Sequence, residues 1–243
     1  IKKYLIKIEK NMKSIFIGIE PVSLVDYDGK IACALFVGGC NFRCPFCHNS
    51  EIVLHAGEYE CKTEEEIFDY LTERKRVLDA VVISGGEPTL YPQVYDFIKR
   101  VKAMGFLVKL DTNGTNLPML KKLVDNNLID YIAMDIKNSK QKYAKTVGLK
   151  ELEIHQIEQT VDYIMQCGVD YEFRTTIVNE LHDEADIIAI GEWLKDAKKY
   201  RLQHFDDKGA NIAGVLSAVG KDTATHWVEL LKKNIADVEL RGY

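Results

Sequence analysis

One pattern recurs along the chain and limits what it can become: a short run rich in β-branched residues, a turn signal, then a longer amphipathic segment. The short runs are residues 31–37 (IACALFV), 80–83 (AVVI), 106–110 (FLVKL), 129–134 (IDYIAM), 171–178 (YEFRTTIV) and 200–205 (YRLQHF). Helical spacing of apolar residues marks 91–104, 116–127, 152–167 and 184–199 between them. Parallel strands need crossovers of a dozen or more residues, which these segments supply. The pattern therefore predicts an α/β protein with a parallel sheet. Six strands are expected, with one or two more near 14–25. A closed eight-stranded barrel typically takes about 250 residues, so six strands in 243 residues point to a partial (β/α)6 barrel. The rival is a doubly wound open sheet. Both set their chemistry at the C-terminal ends of the strands, where polar or glycine-rich clusters lie here. No linker breaks the chain, so one domain spanning 1–243 is expected.

Composition narrows the class. Hydrophobic residues make up 47% and charged residues 28%, which excludes a disordered or collagen-like chain. A net charge of −5 gives no global basic field for nucleic acid or anionic lipid. No run approaches the roughly 20 apolar residues of a membrane span, and the opening IKKYLIKIEKNMK has no apolar core of a signal peptide. A cytoplasmic location with reduced thiols is expected. Met12 would make an ordinary start, so residues 1–11 are expected to lie outside the fold. A capping box is predicted at Thr63 and Glu66, opening a helix.

Six cysteines are too few for a secreted disulfide scaffold, yet Cys40, Cys44 and Cys47 fall within eight residues on one loop, GCNFRCPFCHN. Thiolates at Cys-x3-Cys-x2-Cys spacing suit soft metals. On a four-iron cluster three ligands leave one iron open to an exogenous group. Zinc with His48 as a fourth ligand is a rival, strained by the adjacency of Cys47 and His48. Cys44-Pro45-Phe46-Cys47-His48 also matches the c-type haem pattern, which normally accompanies export. Cys33, inside a strand, and Cys167, at a helix end, read as inert thiols; Cys61 stands in an unrelated context.

The cysteine loop, with Phe46 just before the last cysteine, resembles the signature of radical S-adenosylmethionine enzymes. The residues around it are similar to glycyl-radical-enzyme activases, in particular the branch of anaerobic ribonucleoside-triphosphate reductase activating proteins. Further matches are Ser23 to Lys30 (SLVDYDGK), Ser84-Gly85-Gly86-Glu87-Pro88, Asp135-Ile136-Lys137, Phe173-Arg174-Thr175-Thr176 and Leu240-Arg241-Gly242. The likeness runs from about Met12 to the end, departing at Asp28, where that branch usually has proline. It implies a partial barrel of the radical-SAM type holding a [4Fe-4S] cluster on Cys40, Cys44 and Cys47, with S-adenosylmethionine on the open iron.

The resemblance also implies roles for particular residues. Gly85, Gly86 and Glu87 would meet the methionyl amine through backbone groups; otherwise Gly-Gly after a strand is a turn. Phe46 and the backbone near His48 would contact the adenine. Asp135 and Lys137 share a face if the strand persists, giving a carboxylate for the ribose or sulfonium side and an ammonium for the methionyl carboxylate. Asp111 ends the third strand, where the family often places a ligand contact. Arg174, in an apolar strand, must find a partner: the cofactor carboxylate, Asp111 or Glu87. Gln203 and His204 compete for a cofactor contact after the sixth strand. His55, His155, His182 and His226 show no constellation.

The resemblance implies an enzyme that takes a hydrogen atom from a glycine Cα of a partner glycyl-radical enzyme, with a low-potential donor such as flavodoxin or ferredoxin. One alternative keeps the radical chemistry but acts on a small molecule or modified base. Another, of a different class, is a non-catalytic zinc or electron-transfer module.

Overall fold

In the computed structural model, residues 14–206, 212 and 215–243 are described. The expectation for residues 1–11 lies outside them. The described residues form β1 (Phe16–Ser23), β2 (Ala32–Val37), α1 (Ser50–Leu54), α2 (Glu64–Glu73), β3 (Ala80–Gly85), α3 (Gln93–Ala103), β4 (Leu107–Thr112), α4 (Leu117–Asp125) and β5 (Tyr131–Asp135). The chain continues through α5 (Tyr143–Thr146), α6 (Ile154–Gln166), β6 (Asp170–Ile177), α7 (Glu184–Trp193), β7 (Lys199–His204), α8 (Lys221–Leu231) and β8 (Asp237–Arg241). All six expected strands are present, and β1 supplies the extra one. Sequence reading missed α8 and β8, and ran the helix at 184–199 six residues past the end of α7.

Contacts divide the chain into two compact units. The first comprises residues up to 41, 51–112 and 116–132; the second comprises 42–50, 113–115 and 133–243. In the first unit β1 pairs antiparallel with β2, and β2, β3 and β4 run parallel in that order. One sheet face carries Ala32, Ala34, Ala80, Val82 and Tyr131, packed with Phe36 and Leu107. On the other face Leu35, Val37, Val81, Ile83, Val108 and Leu110 are fully buried. Each such side chain contributes roughly 1.5–3 kcal/mol over leaving it exposed. Burial on both faces makes these strands read as continuous apolar runs.

In the second unit β6, β7 and β8 are parallel neighbours. Of these five strand pairs all but β1–β2 are parallel, so the fold is α/β with mostly parallel strands. Local chemistry sets the helix starts. The Thr63–Glu66 box opens α2 as expected, with Glu66 N donating to the Thr63 hydroxyl at 3.2 Å and Thr63 N to the Glu66 carboxylate at 2.8 Å. Asp183 and Asp186 form the same device at α7. Asn116 caps α4 by accepting from Met119 N at 3.2 Å.

Candidate active site

The first unit presents the Gly-Gly-Glu turn and Cys40. Strand β3 ends at Gly85, whose φ of +110° an L side chain rarely adopts, and a Cβ there would lie 2.5 Å from the Val37 backbone. At Gly86 a Cβ would stand 1.7 Å from the Gly39 carbonyl oxygen. Gly86 N donates to Val37 O at 2.9 Å and Glu87 N to Gly39 O at 3.0 Å. The turn is thus sewn to the backbone just before Cys40, which explains both glycines by backbone approach. Glu87 is fully buried; its carboxylate accepts from Thr89 N at 3.1 Å and the Thr112 hydroxyl at 2.8 Å. Asp111, at the end of β4, accepts from the Ser84 hydroxyl at 2.9 Å. Ser84 and Asp111 continue the alanine-lined face, so that face turns polar at its C-terminal end.

The second unit holds Cys44, Cys47 and the charged strand ends. Arg43 N donates to Val147 O at 2.9 Å, and Cys47 N to Cys44 O at 3.1 Å, which fixes the loop locally. Burial pushes the Cys44 thiol up to about 11, partly offset by the Lys137 ammonium, and Cys47 is raised for the same leading reason. Phe46 is buried, edge-on to His182 at 6.3 Å between ring centroids, with Lys137 Nζ 6.0 Å from its ring centre. His48 is exposed, stacks on Phe205 and hydrogen-bonds the Asp206 carbonyl at 3.1 Å.

Asp135 and Lys137 do share a face: Lys137 Nζ lies 2.9 Å from Asp135 Oδ2. Arg174 Nε meets the other oxygen, Asp135 Oδ1, at 3.0 Å. The arginine in an apolar strand thus finds Asp135, a partner the sequence reading did not consider. Burial would push the Asp135 carboxyl up, but Arg174 and then Lys137 outweigh it and hold it down at about 2. Burial would likewise lower Lys137, yet Asp135 raises it above its ordinary value. The result is an ionised carboxylate between two cations.

Register separates Gln203 from His204. Thr176 pairs with Gln203 and Arg174 with Arg201, so Gln203 shares the face of Arg174. The Thr176 hydroxyl donates to Gln203 Oε1 at 3.5 Å. His204 sits on the opposite face with Tyr200 and Leu202, edge-on to Tyr243 at 4.5 Å. Its Nδ1 is buried with no hydrogen-bond partner among the described residues. Sequence reading missed Tyr143, Thr175 and His182, which bond the backbone oxygens of Asp135, Ile136 and Lys137. Thr175 lies in a motif noted for its resemblance, but no local pattern shows these contacts, because what the three touch lies between 8 and 45 residues away.

Neither unit by itself, among the described residues, assembles three His, Cys, Asp or Glu side chains into a metal site. The donor set nevertheless fits an iron–sulfur cluster: all six cysteines are free thiols, and soft thiolates are the ligands such clusters take. The carboxylate flanked by Lys137 and Arg174 fits a ligand that carries both an ammonium and a carboxylate.

Residues 35–194 match the Radical SAM superfamily. A Methanocaldococcus jannaschii protein provisionally named as a glycyl-radical enzyme activating enzyme is 40% identical over 206 residues, covering 82% of this chain and 83% of its own. The pyruvate formate-lyase-activating enzyme of Clostridium pasteurianum is 29% identical over 203 residues, covering 79% of this chain and 82% of its own. Among solved structures, Escherichia coli QueE aligns with a TM-score of 0.55 at 14% identity over 94% of this chain and 93% of its own, a likeness of fold.

The chain belongs to the Radical SAM superfamily. It is therefore an enzyme of the oxidoreductase type, and its cofactors are a [4Fe-4S] cluster and S-adenosylmethionine. The zinc-module reading is set aside by this membership. No helix among the described residues is long and apolar enough to cross a membrane.

Proposed function

We propose that this enzyme is a glycyl-radical-enzyme activase working in the cytoplasm as a single domain. Cys40, Cys44 and Cys47 would hold the cluster. When bound, the cluster and S-adenosylmethionine supply reductive cleavage of a sulfur–carbon bond, giving methionine and a 5′-deoxyadenosyl radical that takes hydrogen from a glycine Cα of the partner. The electron would come from a low-potential donor such as flavodoxin or ferredoxin.

The chain's own residues bind and orient. Lys137 would pair with the methionyl carboxylate, and Asp135, kept ionised by Arg174, would take the ribose or sulfonium side. Backbone groups of Gly85, Gly86 and Glu87 would meet the amine, and Phe46 with the backbone at His48 would border the adenine. Asp111 and Gln203 stand on polar strand ends where a ligand group could be met; His204, on the opposite face, is the weaker candidate. The 40% identity to the Methanocaldococcus jannaschii protein is the observation that carries this reading. Its provisional name supports a protein substrate over a small molecule, and ribonucleotide reductase is one such partner.

The test is anaerobic reconstitution with iron and sulfide, addition of S-adenosylmethionine and dithionite, and quantification of 5′-deoxyadenosine, with Cys44→Ala as control. Product that vanishes in Cys44→Ala is expected. Incubation with a candidate glycyl-radical enzyme should then yield a glycyl radical in the paramagnetic resonance spectrum. Undiminished product in Cys44→Ala would sink the ligand assignment; no radical on any such enzyme would sink the partner class.

A further inference from the structure

Building on the reading that Asp135 and Lys137 hold S-adenosylmethionine, we propose that His182 is a positioning residue: with Tyr143 and Thr175 it clamps the backbone of Asp135–Ile136–Lys137, so that both charged side chains are preset for the cofactor. Strand β5 ends at Asp135, and one further ladder bond follows, Ile136 N to Arg174 O at 2.8 Å. From there side chains replace strand neighbours. The Tyr143 hydroxyl donates to Asp135 O at 3.2 Å, the Thr175 hydroxyl to Ile136 O, and His182 Nε2 to Lys137 O at 2.9 Å. Three consecutive carbonyls are thereby satisfied by three side chains from separate elements, a demand that every buried backbone group makes.

His182 is the keystone by its chemistry. A carbonyl cannot donate, so Nε2 must carry the proton that Lys137 O receives. Val178 N donates to Nδ1 at 3.1 Å; Val178 O also lies 3.2 Å from Nδ1 but already accepts from Leu181 N and His182 N, so in the neutral ring Nδ1 is the acceptor. Burial pushes the imidazole below its ordinary value, which keeps it in this neutral form. The ring is only 4% exposed and stands edge-on to Phe46, so it touches both the Lys137 backbone and the aromatic residue of the cysteine loop. Its own segment is held in turn: Asn138 Nδ2 donates to Leu181 O at 2.8 Å and to the Thr146 hydroxyl at 2.9 Å. Leu181 N and His182 N both donate to Val178 O. An ammonium on a four-carbon stem loses much freedom on binding; fixing its backbone removes part of that loss before the ligand arrives.

The experiment compares His182→Ala, His182→Gln, Lys137→Ala and the double variant His182→Ala/Lys137→Ala in the full chain. Calorimetry on the anaerobically reconstituted proteins gives the affinity for S-adenosylmethionine. Hydrogen exchange of the cluster-free proteins reports residues 136–139. His182→Ala is expected to weaken binding about tenfold, the scale of one net hydrogen bond, with iron content unchanged and exchange at 136–139 faster. Glutamine keeps one donor and one acceptor and should recover most of the affinity. The double variant should bind no more weakly than Lys137→Ala, because His182 acts through Lys137.

Weakened binding in Lys137→Ala with unchanged binding and exchange in His182→Ala would overturn the clamp and leave the cofactor assignment standing. Unchanged binding in Lys137→Ala would overturn the assignment and the clamp's role with it. Loss of affinity that glutamine does not restore would make His182 a packing residue only. Should His182→Ala fail to fold, Tyr143→Phe removes one clamp bond at near-constant volume, and its unchanged affinity would also refute the clamp.

Discussion

Replacing Gly86 with alanine tests how tightly the Gly-Gly-Glu turn is joined to the backbone before Cys40. The added Cβ would lie 1.7 Å from the Gly39 carbonyl oxygen and 2.5 Å from its carbon. Heavy atoms in contact normally stand roughly 3.5 Å apart, so the two segments must part by about 1.8 Å. Both obstacles are backbone, so no side chain can swing aside. Parting breaks Glu87 N to Gly39 O and Gly86 N to Val37 O. Each broken bond, counted by its stranded N–H at about 2 kcal/mol, makes the two together cost about 4 kcal/mol. For a chain of this length that lowers Tm by about 8–16 °C. The assay is thermal denaturation of the cluster-free, reduced protein by circular dichroism. Gly57→Ala is the control: nothing lies within 4 Å of a Cβ there, and its Tm should match the parent. A Gly86→Ala protein melting within about 2 °C of the parent would refute the close-approach argument.

Cys33 and Cys44, pushed up to about 12 and about 11 with burial the leading cause, should be the slowest thiols to alkylate at pH 8 in the cluster-free protein. Mass spectrometry that finds either labelled as fast as in the denatured chain would contradict the burial argument. Cluster ligands bind as thiolates, and burial raises the proposed ligands Cys44 and Cys47, so iron loading should release protons and improve between pH 6.5 and 8.5; loading that is flat across this range would count against it. Asp135→Asn leaves Lys137 and Arg174 without their shared counter-charge and should cost about 2–4 kcal/mol at neutral pH, measured by urea unfolding. The folded Asp135 carboxyl is held at about 2, below its unfolded value. Its stabilisation is therefore present above about pH 4 and lost as pH falls through 2. Acid titration should show that loss in the parent and not in Asp135→Asn.

How much of this was legible in the sequence follows from the range of the forces concerned. The Gly-Gly-Glu turn, the Thr63–Glu66 cap and the parallel-strand pattern are written in residues a few positions apart, and the structure contains all three. Strand β8 and helix α8 were missed. Residues 237–241, DVELR, alternate apolar with charged residues, and the partner of their acidic side chains is remote in sequence: Arg201, 3% exposed on β7, meets Asp237 at 2.7 Å and Glu239 at 3.2 Å. Helix α7 was overextended because the strand start at Lys199 depends on pairing with Asp237.

Three thiols on one short loop narrow the donor chemistry to soft metals before any folding occurs, because their spacing is local. Tertiary structure decided the rest. It gave Arg174 to Asp135 across 39 residues, placed Gln203 rather than His204 on the arginine's face through strand register, and brought His182 to the carbonyl of Lys137 across 45. The first two choices rest on which strands are neighbours and in what register, and a one-residue slip would turn Arg174 or Gln203 to the opposite face; the third rests on where the loop after β6 returns to the end of β5.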